Sequence, residues 1–359
     1  MRVNDLSVTH FKNHKEQYFL FSPEINCFVG NNGVGKTNLL DALHYLSMAK
    51  SFLGNRDVSN ICFNEDFFAI EGKVISNEKE DLIKIIQTKE NGKVLKKNDK
   101  KYNKLSDHIG YLPSVMISPY DYNLISDSAE SRRRFLDYMI SQTDPEYLYH
   151  IIQYQKVLLQ RNSLLKYFAK NRIFDKDSLS IYDEPMNTFG QKIFEKRTIF
   201  TQQLSPLVQK FYKWISEDKE SITVQYKSHL AEKNMHQLLE ESLAKDKLLT
   251  FTTKGIHKDD MNFEMNKHPI KKTGSQGQQK SFLIALKLAQ ISKIKDITRK
   301  SPILLLDDIF DKLDDLRVSK LIQLITEQNF GQIFITDTHR ERTEKLVKSI
   351  SEKSVVFEL

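Results

Sequence analysis

Cysteine is nearly absent from this 359-residue chain. Cys27 and Cys62 are its two cysteines and form no Cys-x-x-Cys pair, which excludes a disulfide framework, a zinc ribbon and a thioredoxin-like redox motif. Cys27 lies in an apolar run and reads as a buried thiol. No apolar stretch reaches the roughly 18 residues that a membrane-crossing helix needs. The opening residues Met1, Arg2, Val3, Asn4, Asp5 and Leu6 lack the apolar core of a signal peptide. These two absences together give a cytoplasmic location as the expectation. Glycine almost vanishes between residues 131 and 216, where Gly190 stands alone; a span so poor in turn-formers and rich in Leu, Gln, Lys, Tyr and Phe favours long helices over hairpins. There is no internal repeat and no low-complexity tail.

Hydrophobic residues make up 40% of the chain and charged residues 28%, an ordinary globular composition. The length allows one large or two medium domains with a sizeable core. Lys and Arg exceed Asp and Glu by 54 − 47 = +7. That excess suits a polyanionic partner such as nucleic acid, and it equally suits a lysine-rich solvated surface.

Residues 3–10, 17–21 and 25–29 read as short strands. A helix is expected from Lys36 through Leu39, Leu40, Ala42, Leu43 and Leu46, which recur at helical spacing. Residues 67–75 and 82–88 read as two further strands, with Asn91-Gly92 as a turn. The glycine-poor middle follows as a helical lobe or short coiled arm. One of its helices starts at Asp144-Pro145, and residues 171–185 turn the chain. Beyond Ser221 strand-like patterning returns. Residues 275–295 read as a loop and then a helix, Ile303 to Leu306 as a buried strand, 316–328 as a helix and 332–336 as a strand. Alternation of strand and helix gives an α/β core, split in sequence: 1–125 and 221–359 are the two halves, and 126–220 is the inserted, mostly helical lobe.

Three motifs carry chemistry. Gly30, Asn31, Asn32, Gly33, Val34, Gly35, Lys36 and Thr37 fit G-x-x-x-x-G-K-[ST] between an apolar strand and a helix, the context of a phosphate loop. Its glycines let the backbone N–H groups close around phosphates, and the helix N-terminus adds a field that favours anions. Lys36 is expected at the β- and γ-phosphates of ATP, and the Thr37 hydroxyl on Mg²⁺. The aliphatic run Ile303 to Leu306 ends in Asp307 and Asp308. Asp307 is the second expected Mg²⁺ ligand, and Asp308 sits where a glutamate commonly polarises the attacking water. Its side chain is one methylene shorter, which points to slow hydrolysis.

The third motif, Ser275-Gln276-Gly277-Gln278-Gln279-Lys280, precedes Asp307 by 32 residues and follows Lys36 by 239. A Ser-x-Gly-Gln loop opening a helix is the ABC signature, in which Ser275, Gly277 and Gln278 form a second phosphate site. In this class the signature closes on ATP held by a second protomer, so ATP joins a two-fold dimer. Taken as a lone motif, it is also a capped helix start. Phe310, Asp311, Lys312, Leu313 and Asp314 match the D-loop, and His339, just past the last strand, is placed to sense the γ-phosphate. The fold class is therefore α/β, an ABC/SMC-type P-loop ATPase head.

Further segments resemble the RecF family of bacterial DNA-repair proteins. Ile117-Ser118-Pro119 with Asp121 and Leu124 resembles its Ser-Pro-Glu-Asp-Leu region. Arg132-Arg133-Arg134-Phe135-Leu136-Asp137 is similar to its Arg-Arg-x-x-Leu-Asp helix start, and Gln160-Arg161-Asn162-Ser163-Leu164-Leu165 to a motif of its helical lobe. Gly255-Ile256-His257-Lys258-Asp259-Asp260 resembles Gly-Pro-His-Arg-Asp-Asp. The resemblance spans the whole chain. Departures are Ile256 for proline, Lys258 for arginine, Lys12-Asn13 for Arg-Asn and Tyr120 for an acidic residue. Lysine keeps the charge of arginine and loses its bidentate fork.

The resemblance implies an ATP- and Mg²⁺-dependent DNA-binding protein of recombinational repair. Its ATPase would be weak and DNA-stimulated, and it would form an ATP-gated homodimer on single-stranded, linear or gapped DNA. It would work with RecO and RecR, support SOS induction and have no membrane partner. Candidate phosphate contacts are Arg132 to Arg134 and Lys93, Lys96, Lys97, Lys100, Lys101 and Lys104. The lysines also read as a solvated hairpin, and the arginines as stabilisers of a helix or of the ATP-bound interface. With no helix-turn-helix or zinc finger, contact is expected to backbone and shape. The alternative is an ABC-type ATPase of another machine, a transporter or a nuclease-associated complex.

Overall fold

The computed structural model describes residues 1–54, 56–216, 220–308 and 331–359. The D-loop match at 310–314 and the helix expected at 316–328 lie outside the described residues. The chain divides into two compact units, Met1–Asp121 with Leu286–Leu359, and Tyr122–Ala285.

In the first unit β1 (Arg2–Phe11) and β2 (His14–Leu20) form a hairpin, and β3 (Ile25–Val29) leads to the glycine-rich loop and α1 (Lys36–Met48). β4 (Phe67–Ser76), β5 (Lys79–Thr88), β6 (Gly92–Lys97) and the two-residue β7 (Lys100–Lys101) meander onward, and β8 (Ser114–Ile117) follows. Six strands form an antiparallel sheet in the order β2-β1-β4-β5-β6-β7. The inward face of β1 carries Leu6 and Val8, both fully buried, while the alternate residues Ser7 and Thr9 are part exposed, the alternation of a half-buried sheet. Leu39, Leu40, Ala42, Leu43, Tyr45 and Leu46 of α1 are all 0% exposed. A helix buried on every side needs cover on every side, and α1 packs against strands of both sheets of this unit. Each such leucine contributes about 1.5–3 kcal/mol on burial, so α1, and the loop it starts from, is held rigidly.

In the second unit α2 (Asn123–Ser126) precedes α3 (Ala129–Ser141), α4 (Pro145–Asn171), α5 (Lys176–Ser180) and α6 (Asp183–Ser216). Asp144 caps α4 through the Tyr147 amide, with Pro145 in the first turn, the start expected from sequence. The expected turn through 171–185 is shorter: α6 starts at Asp183, because Pro185 falls in its first turn, where no N–H partner is lost. β9 (Ile222–Lys227) packs on α6, and α7 (Met235–Leu249) follows it. β10 (Asp260–Met265) pairs with β9 and with β11 (His268–Pro269), a separate three-stranded sheet. After α8 (Ile270–Thr273), α9 (Gln276–Thr298) runs out of this unit into the first.

β12 (Ile303–Leu306), β13 (Ile333–Asp337), α10 (Arg340–Ile350) and β14 (Ser354–Glu358) return the chain to the first unit. A five-stranded parallel sheet results, ordered β14-β3-β13-β12-β8. Phe19, Phe21, Phe28, Phe334 and Phe357 interlock by edge and stacked ring contacts beside it. Its order brings the ends of β3, β13 and β12 side by side, although residues 29 and 306 are far apart in sequence. Among the described residues no helix is long and apolar enough to cross a membrane.

Candidate nucleotide-binding site

The loop after β3 reverses direction through Gly33 at φ 89° and Gly35 at φ 106°, the left-handed region that favours glycine. At Gly35 space is also short, since a Cβ would lie 2.5–2.6 Å from the side chains of His14 and Asn13. Asn13 lies in the tight turn between β1 and β2, and His14 opens β2. Asn13 Nδ2 donates to the Val34 carbonyl at 3.0 Å, and the His14 ring meets the Gly35 carbonyl at 3.1 Å. Lys12 gives its ammonium to Asp41 at 2.6 Å, a fully buried carboxylate of α1. The segment resembling Arg-Asn therefore buttresses the loop from behind. Burial, more than any charge, pushes the His14 ring pKa down.

Lys36 opens α1, is 5% exposed, and folds its ammonium back onto the carbonyls of Gly30 at 2.7 Å and Asn31 at 3.0 Å. Thr37 follows, its hydroxyl donating to Asp307 Oδ1 at 2.8 Å. Asp307, at the end of β12, also accepts from the Thr336 hydroxyl at 2.8 Å. Desolvation raises its pKa, against the two hydroxyls and the nearby charge of Lys36. A carboxylate held dry against its own preference for the proton is a strong ligand for a cation. Thr37 and Asp307 are hard oxygen donors of the kind Mg²⁺ takes. Two protein ligands suit a Mg²⁺ ion that keeps waters and phosphate oxygens in its remaining positions. Asp308 turns out of the strand at φ 44°, a region asparagine and aspartate tolerate best, with its amide donating to Thr336 Oγ1 at 3.0 Å. Thr336, 0% exposed, thus orders both acidic residues. Sequence reading missed it, since a threonine inside an aliphatic strand carries no motif.

His339 is exposed and forms the N-cap of α10, two residues beyond Asp337, whose carbonyl accepts the Gly30 amide at 3.3 Å. It lies at the loop end of the strand between β3 and β12. Lysine and acid also meet beside the other edge of β12. Lys287 of α9 pairs with Asp121 at 2.6 Å and donates to the Met116 carbonyl at 2.7 Å, both partners buried. Asp121 in turn accepts the Ser118 amide at 2.8 Å.

The signature belongs to the second unit. Ser275 Oγ accepts the Gln278 amide at 3.3 Å, and Gln278 Oε1 accepts the Ser275 amide at 2.7 Å, a reciprocal cap at the start of α9. Ser275 is exposed and Gly277 and Gln278 are half-buried. Capping uses a lone pair of the serine oxygen and leaves its O–H free to donate outward.

The lobe motifs are packing elements. Arg132 grips Asp260 with two bonds, at 2.7 and 3.1 Å, and Arg133 donates to the Asp259 carbonyl at 2.7 Å. Arg161, 1% exposed, bonds Asp246 at 2.9 Å and Thr252 at 2.8 Å. Arg197, equally buried, joins Asp137 at 2.8 Å, Asp259 at 3.2 Å and the Ile256 carbonyl at 2.9 Å. His257 bridges the Tyr154 hydroxyl and the Thr252 carbonyl at 2.9 Å each, and burial pushes its pKa down to about 4. Of the arginines considered as phosphate contacts, Arg132 and Arg133 are committed to the lobe, and Arg134 pairs with Glu130 one turn away.

The chain is similar over its whole length to known proteins. The model of the RecF/RecN/SMC N terminal domain family matches residues 2–356. A DNA replication and repair protein RecF of Flavobacterium johnsoniae is 51% identical over all of both chains. That of Phocaeicola vulgatus is 43% identical, over 99% of this chain and 96% of the other. A solved structure of the recombination mediator protein RecF-ATPrS in RecFOR pathway superposes with a TM-score of 0.88 at 29% identity, covering 100% of this chain and 96% of that one. An SMC head bound to the C-winged helix domain of ScpA shares the fold, with a TM-score of 0.54 at 15% identity over 96% of this chain and 92% of that one.

Proposed function

The chain belongs to the RecF family of DNA replication and repair proteins, and from that premise we propose that it is an ATP-gated DNA clamp of recombinational repair. The observation that carries the reading is the meeting of Thr37 with Asp307 at 2.8 Å beneath a glycine loop whose lysine opens the helix. Backbone N–H groups of residues 33–37 receive the phosphates of ATP, and Lys36 exchanges its two carbonyl partners for the β- and γ-phosphate oxygens. Mg²⁺, when bound, would supply charge neutralisation at the phosphates. Thr37 and Asp307 hold it, and Thr336 keeps the Asp307 carboxylate in place. Asp308 accepts a proton from the attacking water, and His339 reads the γ-phosphate from the next strand end. With a short carboxylate as base, hydrolysis is slow and acts as a timer, stimulated by DNA.

Ser275, Gly277 and Gln278 of a second copy close over the γ-phosphate. The free O–H of the capping serine and the N-terminus of α9 favour that anion. ATP thereby holds two copies around single-stranded or gapped DNA, and hydrolysis releases them. In the cytoplasm this switch serves RecO- and RecR-type mediators and SOS induction. Molecular mass in solution, measured with and without ATP and Mg²⁺, tests the scheme: a monomer that becomes a dimer only with nucleotide is expected. An oligomer indifferent to ATP contradicts it.

A further inference from the structure

Six lysines lie between residues 93 and 104, and the structure separates them into two groups. Lys93 is spent within the fold, giving its ammonium to Asp57 and to the Ala49 carbonyl, each at 2.6 Å. Lys97 is spent on Asp81 at 2.8 Å and on the face of Tyr111 at 3.9 Å. Among the described residues Lys96, Lys100, Lys101 and Lys104 have no carboxylate partner. The last three are exposed.

Their placement runs against sheet stability. Across the antiparallel sheet, one row on a single face reads Glu71, Lys84, Lys96, Lys101 on β4, β5, β6 and β7. Glu71 neutralises Lys84 at 2.5 Å, so the row ends in two uncompensated lysines directly opposite each other. Lys100 also faces Lys97, whose charge Asp81 compensates. Like charges opposed across a strand pair destabilise it, and the turn supplies Asp99 as its one carboxylate. The two tyrosines next to this edge, Tyr102 and Tyr111, pack against the core and so offer it no open ring for stacking unpaired bases. Flexible point charges without a planar fork or an aromatic shelf suit phosphates and read no base.

We infer that the β6–β7 edge, through Lys96, Lys100, Lys101 and Lys104, is the surface that meets the phosphodiester backbone of duplex DNA. The inference rests on the DNA-binding reading above and assigns it a place: the antiparallel sheet of the first unit holds the paired flank of a gapped substrate, and the arginines of α3 do not.

The test is duplex binding by the full chain with ATP and Mg²⁺, measured against salt. In B-DNA each phosphate neutralised contributes about 0.9 to the slope of log K against log salt. Lys100→Gln/Lys101→Gln should flatten that slope by about 2. Lys166→Gln/Lys170→Gln, which removes the same charge elsewhere on the surface, should leave it unchanged. Both double variants should retain the ATP-dependent dimer. The first should unfold at an equal or higher denaturant midpoint, since it relieves opposed charges. A parent that binds duplex while both double variants share its slope overturns the siting. A slope change confined to oligo-dT overturns the duplex assignment. A parent that binds neither DNA at any salt overturns the repair reading itself and this surface with it.

Discussion

Lys36 holds two backbone carbonyls with an ammonium that, on the proposed reading, belongs to a triphosphate. Charge-assisted bonds of this kind are worth about 1.5–3 kcal/mol each. Lys36→Ala should therefore weaken ATP binding by roughly 10- to 100-fold or more, read by titration with a fluorescent nucleotide. Thr336 makes a subtler case. Its hydroxyl donates to Asp307 and accepts the Asp308 amide, so Thr336→Val keeps the shape, removes one hydrogen bond from each and leaves Asp307 with the Thr37 hydroxyl. The expected result is a higher Mg²⁺ requirement for nucleotide binding, with little loss of nucleotide affinity at saturating Mg²⁺. The glycine loop and the aspartate pair were legible as residue types at fixed spacing. Thr336 and His14 were not, because what they do depends on strands that meet only after folding.

Elements in the second unit are joined by buried arginines. Arg197 on α6 ties the end of α3, through Asp137, to Asp259 just before β10. Removing one member of a buried ionic network costs about 3–5 kcal/mol, because the remaining charges stay buried without a counterpart. Arg197→Met should lower stability by that order in chemical denaturation. Next to it, two titrations oppose each other. Burial raises Asp259 from 3.8 to about 6, so its contribution is full below its unfolded value and is lost as pH rises through about 6. Burial lowers His257 from 6.5 to about 4, so its contribution is full above 6.5 and is lost as pH falls through about 4. Between pH 4 and 6.5 the parent's denaturation midpoint should be nearly flat, while His257→Gln should gain stability on acidification. A parallel response of the two proteins would show that these groups do not govern the unit. The helix Met235–Leu249 escaped the sequence reading although Asn234 and Gln237 form a capping box at its start; that signal was available and was masked by the strand-like segments on either side.

At the scale of the whole molecule, ATP on the proposed scheme joins two copies. Asp308→Asn keeps the left-handed backbone tolerance of the position and removes the base, so it should bind ATP, slow turnover by roughly 10²–10⁴-fold and accumulate as dimer. Ser275→Arg should bind ATP as a monomer and fail to dimerise, since a bulky cation replaces the capping hydroxyl at the expected contact. Light scattering with and without ATP checks both, and dimers of Ser275→Arg at the parent's level would remove the signature from the interface.

The sequence by itself determined the phosphate-loop segment, because such a loop needs glycines, a lysine and a hydroxyl at fixed positions of one short segment, and local backbone geometry is enough to build it. It also determined that the middle is helical, since glycine is missing there and apolar spacing persists. Tertiary structure alone decided which charges are free to act. Arg132, Arg133, Lys93 and Lys97 look no different in sequence from Lys100 and Lys101, yet the first four meet carboxylates and carbonyls brought by distant segments. A charge becomes structural or available according to what folds against it, and that partner is set by strand order and helix packing rather than by neighbours along the chain.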